Sequence, residues 1–219
     1  MTKAILFDLD GTLLDTSEGI KHSVCYTLSR MGYSTLPEET LLRFVGPPIQ
    51  DSLMLYCGVD SVEAQRGANI FRNFYKKKAL FEANLYDGII QILQCLRRKN
   101  IKIGVATYKR EDYAIDLLEH FGIAEYCSVI HGADNDNKLT KADIINLCIQ
   151  ELGVGKTNTV LVGDTDYDAK GAAEANVSFV AVTYGFGYKR ENFNCSYPYI
   201  CSIDNPKALF EVINNNEID

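Results

Sequence analysis

Residues 5–16 read ILFDLDGTLLDT, and the fold turns on how that stretch is read. Ile5, Leu6 and Phe7 are what a buried strand asks for, yet the run yields Asp8, then Leu9, then Asp10 and the turn-forming pair Gly11-Thr12. Side chains alternate across a strand, so Asp8 and Asp10 point to one side and Leu9 to the other. Two carboxylates held together repel unless something positive lies between or above them. Gly11 lets the backbone leave the strand. The strand end therefore poses a charge problem that other parts of the chain must solve.

At 219 residues and 47% hydrophobic, the chain can bury a real core, as one fairly large domain or a core with a small insert. Its formal charge of −7 argues against nucleic acid, which calls for a basic stripe. The compact basic runs, 76–78 and 97–99, fall in helical-looking segments and read as solvated helix faces. Seven scattered cysteines without a CxxC pair indicate free thiols and a reducing compartment, so a cytoplasmic location is expected. The N-terminus does not read as a signal peptide, and no apolar run nears the roughly 20 residues of a membrane span.

Short β-branched apolar runs recur at 4–9, 101–106, 128–131, 159–162 and 179–182. Helical spacing separates them, at 87–99 (Ile89, Ile90, Leu93, Leu96), 112–121 (Ile115, Leu118) and 141–152 (Ile144, Ile145, Cys148, Leu152). Such alternation predicts βαβ units and a parallel sheet, whose ligands bind at the carboxyl ends of the strands. Between Asp15 and about Asn84 the alternation stops. Ile20, Val24, Leu28 and Met31 fall at helical spacing, Pro47-Pro48 punctuates, and Val62, Ile70, Phe71 and Phe74 continue the pattern. That interval is far too long for an ordinary βα link, so a helical domain inserted after the first strand is expected.

Four features then fall at strand ends: Asp8-Leu9-Asp10-Gly11-Thr12; Thr107 after IGVA; Lys141 opening KADIINLCIQEL; and Asp164, Asp166 and Asp168 in VGDTDYDAK. Each has a plain alternative. An aspartate can cap the next helix, and threonines end many strands. Thr140 and Asp143 have capping-box spacing, which puts Lys141 near the first helical position. A cation there opposes the helix dipole unless it faces an anion. Together the features are more specific. Clustered carboxylates need a hard cation, and oxygen ligands suit Mg²⁺. A threonine hydroxyl, backbone N–H groups and a lysine suit a phosphate. Asp8 could attack a phosphoryl group, and Asp10 could protonate the leaving oxygen and then activate water.

These stretches, FDLDGTLLDT, GVATYK, KADII and VGDTDYDAKGAAEAN, resemble the four motifs of the haloacid dehalogenase superfamily, nearest its phosphoglycolate phosphatase-like group. The resemblance implies a three-layer, Rossmann-like α/β core over 1–15 and 85–219, with a C1-type helical cap over 16–84. It implies an aspartyl-phosphate on Asp8, acid–base work by Asp10, and phosphate binding by Thr107 and Lys141. Gly11, Thr12 and Tyr108 would line the phosphate site. Asp8, Asp10, Asp164 and Asp168 would hold Mg²⁺. Asp166 matches no family position and reads as a helix-start residue. Lys138 competes with Lys141 for the lysine role, and Tyr108 stands where a small residue is commoner. The stretch RFVGPPIQDSL, 43–53, resembles the cap loop that faces the site, so Arg43 could meet a substrate anion or sit on a solvated helix end. The expected activity is a Mg²⁺-dependent phosphatase on a small phosphoester, with 2-phosphoglycolate first. A phosphomutase of the β-phosphoglucomutase kind, a pyrophosphatase, a 5'-nucleotidase and a non-enzymatic phospho-acceptor remain alternatives. The chain is expected as a monomer or homodimer that binds no nucleic acid or membrane.

Overall fold

The computed structural model describes residues 2–134 and 138–214. In chain order the elements are β1 (Ala4–Phe7), β2 (Leu14–Asp15), α1 (Ser17–Met31), α2 (Glu38–Leu42), α3 (Ile49–Cys57), α4 (Ser61–Phe74), β3 (Asn84–Leu85), α5 (Ile89–Arg98) and β4 (Lys102–Arg110). Then come α6 (Glu111–His120), β5 (Val129–Ala133), α7 (Lys141–Leu152), β6 (Thr159–Gly163), α8 (Asp166–Ala175), β7 (Ser178–Val182), β8 (Cys201–Ile203) and α9 (Leu209–Asn214).

Six strands form a parallel sheet in the order β5-β4-β1-β6-β7-β8. β1 lies inside it because both its faces are apolar, as a doubly covered strand requires. Ala4 and Leu6 pack with α7 and α8, whereas Ile5, Phe7 and Leu9 pack with α5 and α6 on the opposite face. The chain runs from β1 outward to β4 and β5, then crosses back to β6. Strand order thus reverses beside β1, the place where open parallel sheets bind ligands.

Most expected elements are present, with instructive differences. β4 continues to Arg110, past the expected end at 106, with a register irregularity between Ala106 and Arg110. Pairing with β5 resumes at Arg110 opposite Ala133, which keeps the chain extended through Thr107, Tyr108 and Lys109. The three-residue β8 and two-residue β2 and β3 are too short to show a period.

The interval after β1 is helical as expected. Ile20, Val24 and Leu28 are buried on α1, which packs against α4, and α3 packs against α4 in turn. Val62, read as part of the apolar stripe, instead faces solvent in the first turn of α4, beside the capping Asp60. A π-helical turn, Tyr75–Ala79, extends α4. β2 and β3 bracket this helical interval and pair antiparallel, Leu14 with Leu85 and Asp15 with Asn84. Among the described residues no helix is long and apolar enough to cross a membrane, and all seven cysteines are free thiols.

The central sheet should dominate stability. Leu161 on β6 is fully buried, so Leu161→Ala is expected to cost about 2–5 kcal/mol in urea unfolding with an unchanged m-value. A loss under about 1 kcal/mol would contradict close packing at this strand.

Candidate active site

The carboxyl ends of β1, β4 and β6 and the first turns of α7 and α8 converge on one small volume. Asp8 continues the β1 ladder, its N–H donating to Val162 O at 2.9 Å. Among the described residues, the buried charged groups are four carboxylates, Asp8, Asp10, Asp164 and Asp168, and two lysines, Lys109 and Lys141.

Lys141 is the first residue of α7, behind a Thr140–Asp143 capping box. Its ammonium donates to Asp8 Oδ1 at 2.7 Å and meets Asp168 Oδ1 at 2.6 Å. The cation that opposes its own helix dipole is therefore clamped by two buried anions. Burial pulls the Lys141 pKa down, but Asp168 and Asp8 outweigh it and hold the amine charged. Lys138 is exposed, and its backbone N–H caps Asp134.

Asp168 works with both oxygens. Oδ1 meets Lys141, while Oδ2 accepts from the Thr165 hydroxyl at 2.6 Å and the Thr165 N–H at 3.1 Å, closing a capping box on α8. Asp166 is the first residue of α8, as the sequence suggested, and accepts from the Tyr188 hydroxyl. Asp164 is different. Its Oδ2 accepts from Phe186 N–H at 2.7 Å and Gly187 N–H at 3.2 Å, but its buried Oδ1 has no hydrogen-bond partner. Gly11, at φ +77°, and Gly185 let the backbone pass this carboxylate. A Cβ on either would lie 2.3–2.5 Å from Asp164 Oδ2.

Asp8, Asp164 and Asp168 each offer an oxygen within 4.8 Å of the others. Burial above all pushes the Asp8 carboxyl up to about 7, with Lys141 opposing and Asp168 and Asp10 adding to the rise. Asp164 is raised well above the usual carboxylate range, first by burial and then by Asp168 and Asp8. Four anions against two cations leave a deficit of two positive charges, and one buried oxygen is bare. A divalent cation answers both, so the donor set fits one.

Asp10 lies apart from that cluster. Lys109 donates to its two oxygens at 2.8 and 3.1 Å, and the Thr16 hydroxyl donates to Oδ1 at 2.6 Å. The Lys109 ammonium sits 4.9 Å from the centre of the Tyr75 ring. Thr107 is buried and its hydroxyl accepts from Lys109 N–H. The hydroxyl of Tyr108 accepts from Lys141 N–H at 2.9 Å, so this bulky residue caps the start of α7. Thr12 is fully buried, its hydroxyl without a hydrogen-bond partner and its carbonyl accepting from the Tyr184 hydroxyl.

Above these groups opens a cleft of about 80 Å³, lined by Asp10, Tyr108 and Lys109 from the core and by Phe44, Pro48 and Tyr75 from the helical side. Within the loop expected to face the site, residues from Phe44 to Gln50 contribute to this lining. Arg43 does not, and its side chain is exposed. Three contributors lie outside the expected site residues. Lys109 was within reach, since alternation puts it on the side of Thr107. Thr16 and the loop YGFGY at 184–188 carry no local signal, because tertiary folding alone brings them to Asp10 and Asp164.

The haloacid dehalogenase-like hydrolase family matches residues 5–182. A 5'-nucleotidase from Pseudomonas aeruginosa is 33% identical over 188 residues, covering 85% of each chain. The tyrosine-protein kinase PtkA of Mycobacterium tuberculosis is 34% identical over 190 residues, 86% of this chain but 64% of its own. A phosphoglycolate phosphatase from Pseudomonas syringae is 29% identical over 198 residues, 87% of this chain and 72% of its own. A crystal structure described as a predicted phosphatase from Clostridium acetobutylicum superposes with a TM-score of 0.90 at 34% identity, covering 98% of this chain and 99% of that one.

Raised carboxyl pKa values make the metal-free fold bind protons that the unfolded chain releases near about pH 4. Its stability should fall as pH rises from there through about 7, where Asp8 ionises. A divalent salt should therefore raise the melting temperature of EDTA-treated protein more at about pH 8 than at about pH 5, and an equal or smaller shift at the higher pH would count against the cluster as a cation site. Breaking the second pair should also be costly. Lys109→Met strands a buried Asp10 and is expected to lose about 3–5 kcal/mol in denaturant unfolding. Adding Asp10→Asn should recover part of that loss, whereas strictly additive losses would show the two are not coupled.

Proposed function

The chain belongs to the haloacid dehalogenase-like hydrolase family and is a phosphoric monoester hydrolase of its phosphoglycolate phosphatase-like group; from that premise we propose that it hydrolyses a small phosphorylated metabolite through an aspartyl-phosphate on Asp8, with Mg²⁺ as its cation. The observation that carries this reading is the Lys141 ammonium held between Asp8 and Asp168, beside the bare oxygen of Asp164.

In the first half-reaction an oxygen of Asp8 bonds to phosphorus as the bond to the leaving oxygen breaks. Asp10 gives its proton to that oxygen, which departs as an alcohol. In the second half-reaction Asp10 takes a proton from water as the water oxygen attacks the aspartyl-phosphate, freeing Asp8 and inorganic phosphate. Lys141 keeps the attacking carboxylate aimed and offsets charge on the phosphoryl oxygens, and the Thr107 hydroxyl donates to one of them. Asp8, Asp164 and the Asp10 carbonyl would hold Mg²⁺, with Asp168 supporting. When bound, the ion neutralises charge on the carboxylates and the phosphate. The pairing of Asp10 with Lys109 and Thr16 describes the acid–base group at rest.

We further propose that residues 16–84 act as a cap over a core of 1–15 and 85–219, hinged on the paired β2 and β3. The aromatic and proline side chains of the cap side would then exclude water from the cleft as it closes. 2-Phosphoglycolate is the first substrate to test, and the P. aeruginosa relative makes nucleoside 5'-monophosphates the second.

A phosphate-release assay with Mg²⁺ over 2-phosphoglycolate, pyrophosphate, nucleoside 5'-monophosphates and hexose phosphates tests the reading. Asp8→Asn should lower turnover at least about 10³-fold with the fold intact. Near-parental activity in that variant would remove Asp8 as nucleophile, and EDTA-resistant turnover would remove the metal.

A further inference from the structure

Beside the cleft lies a second hollow of about 390 Å³. Arg72, Lys76 and Lys77 face it from the helical side, and Arg110 and Tyr113 from the core side. Arg72, Arg110 and Tyr113 also line the catalytic cleft, so the two spaces adjoin. Among the described residues the hollow is lined by four cations, three side-chain amides and no carboxylate, in a chain of net charge −7. The run at 76–78, which reads from sequence as a solvated helix face, thus turns two of its lysines toward an opening into the active site.

These cations are positioned in advance. Asp112 on the rim grips Arg110 with both oxygens at 2.5 Å and meets Lys76 at 3.2 Å. The Arg110 guanidinium is stacked 4.0 Å from the centre of the Tyr113 ring, and the Tyr113 hydroxyl donates to Arg72 O. Asp112 occupies the Nε and Nη2 side of this guanidinium and holds it in one orientation, so an incoming anion would meet its other edge or compete with Asp112.

We propose that this hollow binds a second anionic group of the substrate, so that the enzyme prefers phosphoesters with a phosphate or carboxylate at the end remote from the scissile phosphoryl group. The inference rests on the phosphatase reading and narrows its substrate class. Successive contacts lead from Asp10 to Lys109 at 2.8 Å, to the Tyr75 ring at 4.9 Å, to the Tyr113 ring at 5.8 Å and to Arg110 at 4.0 Å. A substrate with groups at both ends of that series is on the scale of a sugar or nucleoside bisphosphate. Because cations on both sides face the same space, a bound anion would also tie the helical side to the core.

Binding is read in Asp8→Asn protein with Mg²⁺, by calorimetric titration of two pairs of probes: fructose 1,6-bisphosphate against fructose 6-phosphate, and adenosine 3',5'-bisphosphate against adenosine 5'-monophosphate. In at least one pair the bisphosphate should bind about tenfold or more tightly. That preference should shrink as salt rises from about 50 to about 500 mM. It should fall below about threefold when Arg72→Gln and Lys77→Gln are added, with the fold verified by circular dichroism. Equal affinities within both pairs, or a preference that the two substitutions leave intact, would overturn the proposal. Phosphate release by the parental enzyme is measured separately. A bisphosphate preference without any turnover would sink the phosphatase reading and leave the anion site standing.

Discussion

The ammonium of Lys141 between Asp8 and Asp168 is the contact on which the rest of the site depends. Three separate stretches of chain meet there: the end of β1, the start of α7 and the first turn of α8. None tolerates the arrangement alone. A lysine at the start of a helix is mildly unfavourable, and two buried carboxylates are strongly so. Each element supplies the opposite charge that the other lacks, and removing one partner would leave an uncompensated buried charge.

The pair does not fully balance the site. Two lysines face four carboxylates, and Asp164 keeps one buried oxygen without a partner. The proposed chemistry rests on that imbalance, since a dication would offset it and would in turn draw in a phosphate. Asp10, the proposed acid–base residue, is kept out of this competition. Asp10 has its own lysine and its own hydroxyl, so two neighbouring aspartates at one strand end have separate surroundings.

Much of this was legible in the sequence. Periodicity marked β1, α7 and the helical interval, because burial imposes the pattern. The spacing of Thr140 and Asp143 marked the start of α7, and hence which of two lysines could reach the strand ends. Alternation along β1 put Asp8 and Asp10 on one side. What stayed hidden depends on long-range closure. Nothing near Asp10 announces Thr16, which arrives through a turn and a two-residue strand. The backbone donors on Asp164 come from a loop more than twenty residues downstream. Lys109 was visible in principle, but its meaning depends on β4 staying extended past Ala106, which follows from its renewed pairing with β5. Arg43 resembled a substrate contact by position in a loop, yet that loop's turn presents Phe44 and the prolines inward instead.

The pairing of β2 with β3 has a consequence for how such a chain can vary. Leu14 and Leu85 stand opposite each other, so everything between them is topologically a loop whose ends are already joined. The entropy of closing it grows only slowly with its length, and the register of the six-stranded sheet does not pass through it. Changes of length in the middle of the interval would leave the contacts of Asp8, Lys141 and Asp168 in place, whereas Thr16 and Tyr75 at its two ends touch Asp10 and Lys109. The two ends of this loop, and not its middle, are what the charged groups beneath it constrain.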